Sequence, residues 1–182
     1  MDPYAYPKHI HLNDGTELII RPLKKADEKA LHDYFLKLPA EEVARLKDDV
    51  TDPELISKWI YDLDYDAVFP LIATDKDRIV ASGTLKFNPV GWRKHQGEIR
   101  ATVDPEYRKK GLSTLLIENF IEIAKTMGLE QLTAEVAPSL DEAYFLFEKM
   151  GFKEAAVLKN FIKDQTGKHE DLVVMILDLN QI

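Results

Sequence analysis

The densest basic run in the chain, Arg108-Lys109-Lys110, is followed at once by Gly111 and then by Leu112, Ser113 and Thr114. It stands between a β-rich run that ends at Val103 and an apolar stretch of helical period that begins at Leu112. A strand end, a short basic turn and a helix start together point free backbone N–H groups at an anion. A glycine lets the backbone approach closely, and hydroxyls in the first helical turn add donors. The chemistry is the holding of a phosphate. Taken alone, an RxxG turn reads better as a solvated charge pair and a bend in the chain. The turn lacks GxxxxGK before Ser or Thr and is not GxGxxG, so nucleotide hydrolysis and nicotinamide binding lose support. His9 and His11 stand two apart in a strand-like segment, but two ligands without a third are not a site, and no metal is expected. GxSxG and HExxH are absent too.

Composition narrows the class. At the usual ~150 residues per domain, 182 residues make about one domain, and 45% hydrophobic with 31% charged content is that of a globular chain. Thirty-two acids against 24 bases leave −8, so the positive field of a nucleic-acid binder is missing and none is expected as a partner. With no cysteine, disulfides, thiolate metal sites and cysteine nucleophiles drop out, and a reducing, cytoplasmic setting fits. The opening MDPYAYPKHIHLNDG has two prolines and no apolar run, and no later stretch approaches the ~18 apolar residues of a membrane span, so no membrane partner is expected. Residues 1–12 read as a polar tail and 13–182 as a single domain.

The elements that must position the turn follow from periodicity. Thr16 to Arg21 reads as a strand ended by Pro22, and KADEKALHDYFLKL as an amphipathic helix. AEEVARLK and PELISKWIYDL are two further helical pieces. Strands are expected over Val68 to Thr74, Arg78 to Phe87 and Gly97 to Val103. Leu112, Leu115, Leu116, Phe120, Ile123, Ala124 and Met127 then share one helix face up to Gly128. A strand LEQLTAEV follows, and Ser139 with Glu142 has capping-box spacing at the start of a last helix ending at Met150-Gly151. Strands from Phe152 to Phe161 and Asp171 to Leu179 flank a closing turn DQTGKHE. This is a mixed α/β sandwich with one βαβα core.

That order, with FEKMGF closing the last helix, resembles the GNAT acetyltransferase superfamily, whose RxxGxG/A turn holds the pyrophosphate of acetyl-coenzyme A. The resemblance extends from Leu18-Ile19-Ile20-Arg21-Pro22-Leu23, similar to the family's first strand, to the closing hairpin, and its core runs from Glu98 to Phe152. It implies an α/β (α+β) fold with a mixed, mostly antiparallel sheet of six or seven strands and about four helices. It also implies acetyl-coenzyme A as co-substrate, with Arg108, Lys109, Lys110, Gly111, Leu112, Ser113 and Thr114 at the pyrophosphate. Ser113 stands where Gly or Ala is usual. Ala101, Thr102 and Val103 would be the strand that splays to pair with the pantetheine amides, and Phe147 is the remaining implied cofactor contact. DLDYDAVFPLIA, the glutamate of GEIRATV and FEKMGF are most similar to bacterial and archaeal protein-lysine acetyltransferases. Two positions depart from the commonest pattern: Leu140 stands where an Asn often contacts pantetheine, and Phe147 where a Tyr often serves as general acid. Tyr144, one turn earlier, is either its substitute or a core residue.

Direct transfer requires a deprotonated amine, so a carboxylate or an ordered water must take the proton. Glu98 is the candidate. Strand alternation puts it with Arg100 and Thr102 on the face opposite Ile99, Ala101 and Val103, where desolvation would raise its pKa. The competing role is an ion-pair partner for Arg100 or Lys86. Residues 41–66 hold nine acids against Arg45, Lys47 and Lys58, which reads either as an acidic rim for a cationic acceptor or as a solvated surface. Such an acceptor is a primary amine: a protein lysine, a small-molecule amine or a protein N-terminus. Trp59, Tyr61, Tyr65 and Trp92 either line its cleft or fill the core. The rival from another class is a non-catalytic acyl-coenzyme A binding or sensing module.

Overall fold

The computed structural model describes residues 5–164 and 167–182. Gln165 and Thr166 of the expected closing turn, and residues 1–4 of the expected tail, lie outside the described residues. In chain order the elements are β1 (Lys8–His11), β2 (Glu17–Pro22), α1 (Glu28–Phe35), α2 (Ala40–Val43), α3 (Pro53–Tyr61), β3 (Val68–Asp75), β4 (Arg78–Phe87), β5 (Gln96–Val103), α4 (Leu112–Thr126), β6 (Gln131–Val136), α5 (Asp141–Lys149), β7 (Lys153–Lys163) and β8 (His169–Asp178). The strands make one sheet in the order β1-β2-β3-β4-β5-β6-β8-β7. Every neighbouring pair is antiparallel except β5 with β6. The expected mixed, mostly antiparallel sheet is what forms, with eight strands and five α-helices among the described residues.

The additional strand comes from the segment read as a tail. Lys8 to His11 pairs antiparallel with Leu18 to Ile20 and with Glu17 across the Asp14-Gly15 turn, where Gly15 takes φ +84°. Four residues are too short for alternation to declare itself in a sequence, and the partner strand decides the matter. His9 and His11 fall on one exposed side of β1, and His11 Nε2 lies 3.2 Å from Glu17. Among the described residues no three His, Asp or Glu side chains converge as a metal site would require.

Each face of the sheet carries its own core. On one, α4 lays Leu112, Leu116, Ile117, Phe120, Ile123 and Ala124 against Leu85, Ile99, Val103, Leu132 and Ala134. The buried face of α4 is turned slightly from the expected one: Ile117 and Asn119 are buried, while Leu115 and Met127 are only partly covered. Asn119 is satisfied there, its Nδ2 donating to the Leu115 carbonyl and its Oδ1 accepting from the Tyr6 hydroxyl. On the other face, Leu31 and Phe35 of α1 and Ile56 and Ile60 of α3 pack over Ile72 and Ile79. Asp52 caps α3 by accepting from the Glu54 N–H, and Pro53 occupies the first turn. The expected capping box at α5 does not form. Leu140 is its N-cap residue, and the Ser139 N–H donates instead to the Glu170 carboxylate at 2.7 Å. Among the described residues no helix is long and apolar enough to cross a membrane.

Gly83 of β4 lies directly under α4. A Cβ there would meet the Arg100 carbonyl and the Phe120 ring, each at 2.8 Å. Since backbone on one side and a buried ring on the other leave nowhere to move, Gly83→Ala is expected to destabilise the fold by about 1–3 kcal/mol. Urea denaturation measures it, and an unchanged midpoint would show that α4 can lift from the sheet freely.

Candidate active site

The parallel pairing of β5 with β6 holds for three positions only: Gln96 with Gln131, Gly97 with Leu132 and Glu98 with Thr133. Beyond Glu98 the strands part, β5 staying with β4 as far as Val103 and β6 with β8 as far as Val136. Ala101, Thr102 and Val103 lie on this diverging stretch. The backbone groups of β5 that point away from β4 have no strand partner there.

The basic turn lies where β5 ends. Asp104 caps a single turn of 3-10 helix over Pro105–Tyr107, and the chain then passes through Lys109 at φ +59° and Gly111 at φ +91° into α4. Leu112, Ser113 and Thr114 precede any carbonyl that their N–H groups can reach within the helix, the first intrahelical bond running from the Leu115 N–H to the Gly111 carbonyl. The β1–β2 turn braces this loop from behind. The Asn13 N–H donates to the Lys110 carbonyl, Asp14 pairs with the Lys110 ammonium at 2.9 Å, and the Asn13 side chain fills the space that a Cβ on Gly111 would need, at 3.3 Å. Hydrogen bonds from the Thr16 hydroxyl and Lys110 hold the Asp14 carboxyl far below the usual carboxylate range. Nothing in the spacing of Asn13 and Asp14 announced this contact, because it joins residues almost a hundred positions apart.

Arg108 departs from expectation. Its guanidinium is committed, donating to both carboxylate oxygens of Glu42 at 2.7 and 2.6 Å and to the Val103 carbonyl at 3.0 and 2.8 Å. It therefore shapes the turn and ties it to α2, and the Val103 carbonyl is not free for a ligand. Lys109 reaches Glu142 at the exposed surface. The donors with no partner inside the helix are thus the first-turn N–H groups of α4, and Lys109 and Lys110 stand beside them, paired with Glu142 and Asp14. They fit a pyrophosphate by charge and by the exposed N–H groups of a helix start.

At the other end of the opening stands Glu98. The alternation of β5 sets Glu98, Arg100 and Thr102 opposite Ile99, Ala101 and Val103 as expected, but the carboxylate is not alone. Its Oε1 accepts from Lys47 Nζ at 2.8 Å and from Arg100 Nε at 2.9 Å. Lys86, directly across on β4, is not its partner. Burial pushes the Glu98 carboxyl up, as the sequence suggested, but the hydrogen bonds and charges of Lys47 and Arg100 outweigh it and hold the group below its ordinary value. The expected raised pKa is therefore corrected to a lowered one. Lys47 Nζ also lies 2.6 Å from Glu135 of β6, so one ammonium bridges the two parting strands. Neither Lys47 nor Glu135 was singled out in the sequence, where each is one charge among many.

The remaining candidates take other places. Phe147 is 8% exposed and packs edge-on against Phe152 at 5.0 Å, inside the core. Tyr144 is partly packed on the same core and its hydroxyl donates to Glu154 of β7. Tyr34 is the phenol on the Glu98 face, donating to the Thr102 hydroxyl at 2.9 Å. Trp59 packs edge-on against Phe35, Tyr65 donates to the Leu23 carbonyl, Tyr61 is exposed, and Trp92 is 82% exposed in the β4–β5 loop. The acids of residues 41–66 are largely engaged: Glu42 with Arg108, Asp48 with Arg100, Asp52 at the α3 cap, and Asp49 and Asp64 in turns.

Known proteins share both sequence and fold with this arrangement. A ribosomal protein bS18-alanine N-acetyltransferase of Salmonella typhimurium is 36% identical over 78 residues, 43% of this chain and 52% of the relative. The chain thus spans about half the length of the curated relatives that it matches. The GNAT domain of S. lividans PAT superposes with a TM-score of 0.78 at 18% identity, covering 94% of this chain and 96% of that one. The Salmonella typhimurium protein yncA, solved with its cofactor acetyl-CoA, gives 0.76 at 19% identity over 91% of this chain and 95% of the other. At such identities the solved structures establish the fold. The sequence profile of the acetyltransferase (GNAT) family matches residues 28–152, which span the opening from α1 to the end of α5, and the chain belongs to that family.

Proposed function

We propose that this chain moves an acetyl group from acetyl-coenzyme A directly to a primary amine. The observation that carries the reading is the opening between β5 and β6, with outward-facing N–H donors at one end and a pair of carboxylates around an ammonium at the other. Acetyl-coenzyme A, when bound, supplies an acetyl thioester. The N–H groups of Leu112, Ser113 and Thr114, with Lys109 and Lys110, hold its pyrophosphate. The unpaired edge at Ala101 and Thr102 hydrogen-bonds the amides of the pantetheine arm and aims its far end at Glu98. A backbone N–H of β5 polarises the thioester carbonyl. Glu98, ionised throughout the neutral range because Arg100 stands beside it, binds the incoming ammonium and passes its proton to water, with Glu135 as the second carboxylate on the facing strand. The names of the curated relatives support an alanine α-amino group at a protein N-terminus as acceptor. A lysine side chain presents the same ammonium. A second reading, acyl-coenzyme A binding without turnover, rests on Phe147 and Leu140 standing where the family often has Tyr and Asn.

Acetyl-coenzyme A at ~100 times its Kd is expected to add roughly 2.7 kcal/mol to stability, seen as a rise in melting temperature. Gly111→Val, which forces a β-branched side chain into φ +91° against Asn13, is expected to abolish that rise while leaving the protein folded. A retained rise would remove the turn from the site.

Glu98→Gln is expected to lower kcat by about a hundredfold and keep the acetyl-coenzyme A shift. In the unsubstituted enzyme the acid limb of kcat/KM lies below the ordinary glutamate value of ~4.3, and it moves upward in Arg100→Met, which removes a charge that favours the carboxylate. An acid limb near neutrality would show that Glu98 is not the group that titrates.

A further inference from the structure

The segment from α2 to Asp48 crosses the opening and is fastened on every side. Glu42 holds Arg108 at the turn, Arg45 lies 3.6 Å from Glu170 of β8, Asp48 meets Arg100 of β5, and between them Lys47 reaches down to Glu98 and Glu135. The position of Lys47 is specific. Its amine lies at the apex of the opening, where the pairing of β5 and β6 stops, between one carboxylate from each strand. From Val103 to Glu98 the strand runs about 16 Å at the usual rise of a strand. An acyl carrier anchored at the turn and laid along that edge ends at the apex.

We propose that Lys47 is a self-acetylation site, its amine standing where an external acceptor amine must come. The inference rests on the reading of the site as an acetyl-coenzyme A-dependent transferase. In the step, the Lys47 ammonium gives one proton to Glu98 and through it to water, and the freed nitrogen attacks the thioester carbonyl. The C–N bond forms, the C–S bond breaks, and the second proton of the nitrogen ends on the departing sulfur, giving an acetamide and free coenzyme A. The geometry separates Lys47 from other lysines of the chain. Lys29 and Lys109 are paired only at the exposed surface, with Asp33 and Glu142. Acetylation removes the charge that spans Glu98 and Glu135 and frees both carboxylates for an amine from outside.

The test is to incubate the purified chain with isotope-labelled acetyl-coenzyme A, digest it and read the label peptide by peptide, with melting in acetyl-coenzyme A measured in parallel. One acetyl group on Lys47 is expected, ahead of Lys29 and Lys109, at a rate per chain that does not change on dilution of the protein. Lys47→Arg, which keeps a cation for both carboxylates, is expected to lose that label, and Glu98→Gln to slow it by about a hundredfold. Label spread over the exposed lysines, or a rate that falls with dilution, would overturn the inference. So would an unlabelled Lys47 in protein whose melting temperature acetyl-coenzyme A raises, an outcome that leaves the proposed function standing. No rise in melting temperature and no label would overturn both.

Discussion

The parting of β5 from β6 after three paired residues is the constraint around which the site is built. At the joined end the strands and α4's exit are so close that a Cβ on Gly97 would meet the ends of the Leu85, Leu132 and Leu129 side chains at 2.8 to 3.0 Å, and these would have to shift to admit it. Past that point each strand is committed elsewhere, β5 to β4 and β6 to β8, and the twist accumulated within each pair carries them apart. A gap inside a sheet leaves backbone groups without partners, an arrangement a fold sustains only where water or a ligand meets them. The turn before α4 and the segment after α2 both take their positions from that gap, one at its end and one across its mouth.

Charge then does what apolar packing does elsewhere in the molecule. The segment crossing the gap has only a four-residue helix, and Val43 and Val50 are its buried apolar contacts. Ion pairs with arginines and glutamates of β5, β6, β8 and the turn fix the rest. An exposed pair contributes less than about 1 kcal/mol, so the fastening is modest in energy and strong in geometry. It also explains where the acids of residues 41–66 go. Glu42 and Asp48 are answered by Arg108 and Arg100, while Asp49, Asp52 and Asp64 close turns or a cap and keep their charge.

How much could be read from the sequence follows the range of the interaction concerned. The bounds of β4 and the start of α4 come from alternation and helical period, which are local, and both strands and helix appear where expected. The left-handed Gly111 and the outward N–H groups are likewise local. β1 escaped because its pairing with β2 is the only thing that makes it a strand. Ser139 failed as a cap because α5 begins one residue later, with Leu140 as its N-cap, and Glu170, more than thirty residues away, takes the Ser139 N–H. The direction of the Glu98 shift is legible only in part: Arg100, two residues on, is one candidate partner, but Lys47 is fifty-one positions distant, and burial, which the strand pattern does indicate, has the opposite sign. Arg108 was placed correctly in the turn but its guanidinium was assigned to the ligand when Glu42 and Val103 hold it.

The phenylalanine at 147 bears on mechanism less than its departure from the family pattern suggests. Its ring fills the core against Phe152, and Tyr144 is turned toward Glu154, so neither offers a proton to a leaving group at the apex. Tyr34 is occupied too, its hydroxyl given to Thr102 and its phenol pushed far above the ordinary tyrosine value by burial. A thiol has an ordinary pKa of ~8.5, far below that of an alkoxide or amide, so its anion leaves without prior protonation and can collect the second proton of the attacking amine. The demanding step is the first deprotonation, from an ammonium whose ordinary pKa is ~8 for an α-amino group and ~10.4 for a lysine. In the proposed transfer, the residues that the fold gathers at the apex, Glu98, Glu135 and the charges around them, are those that would act on that ammonium.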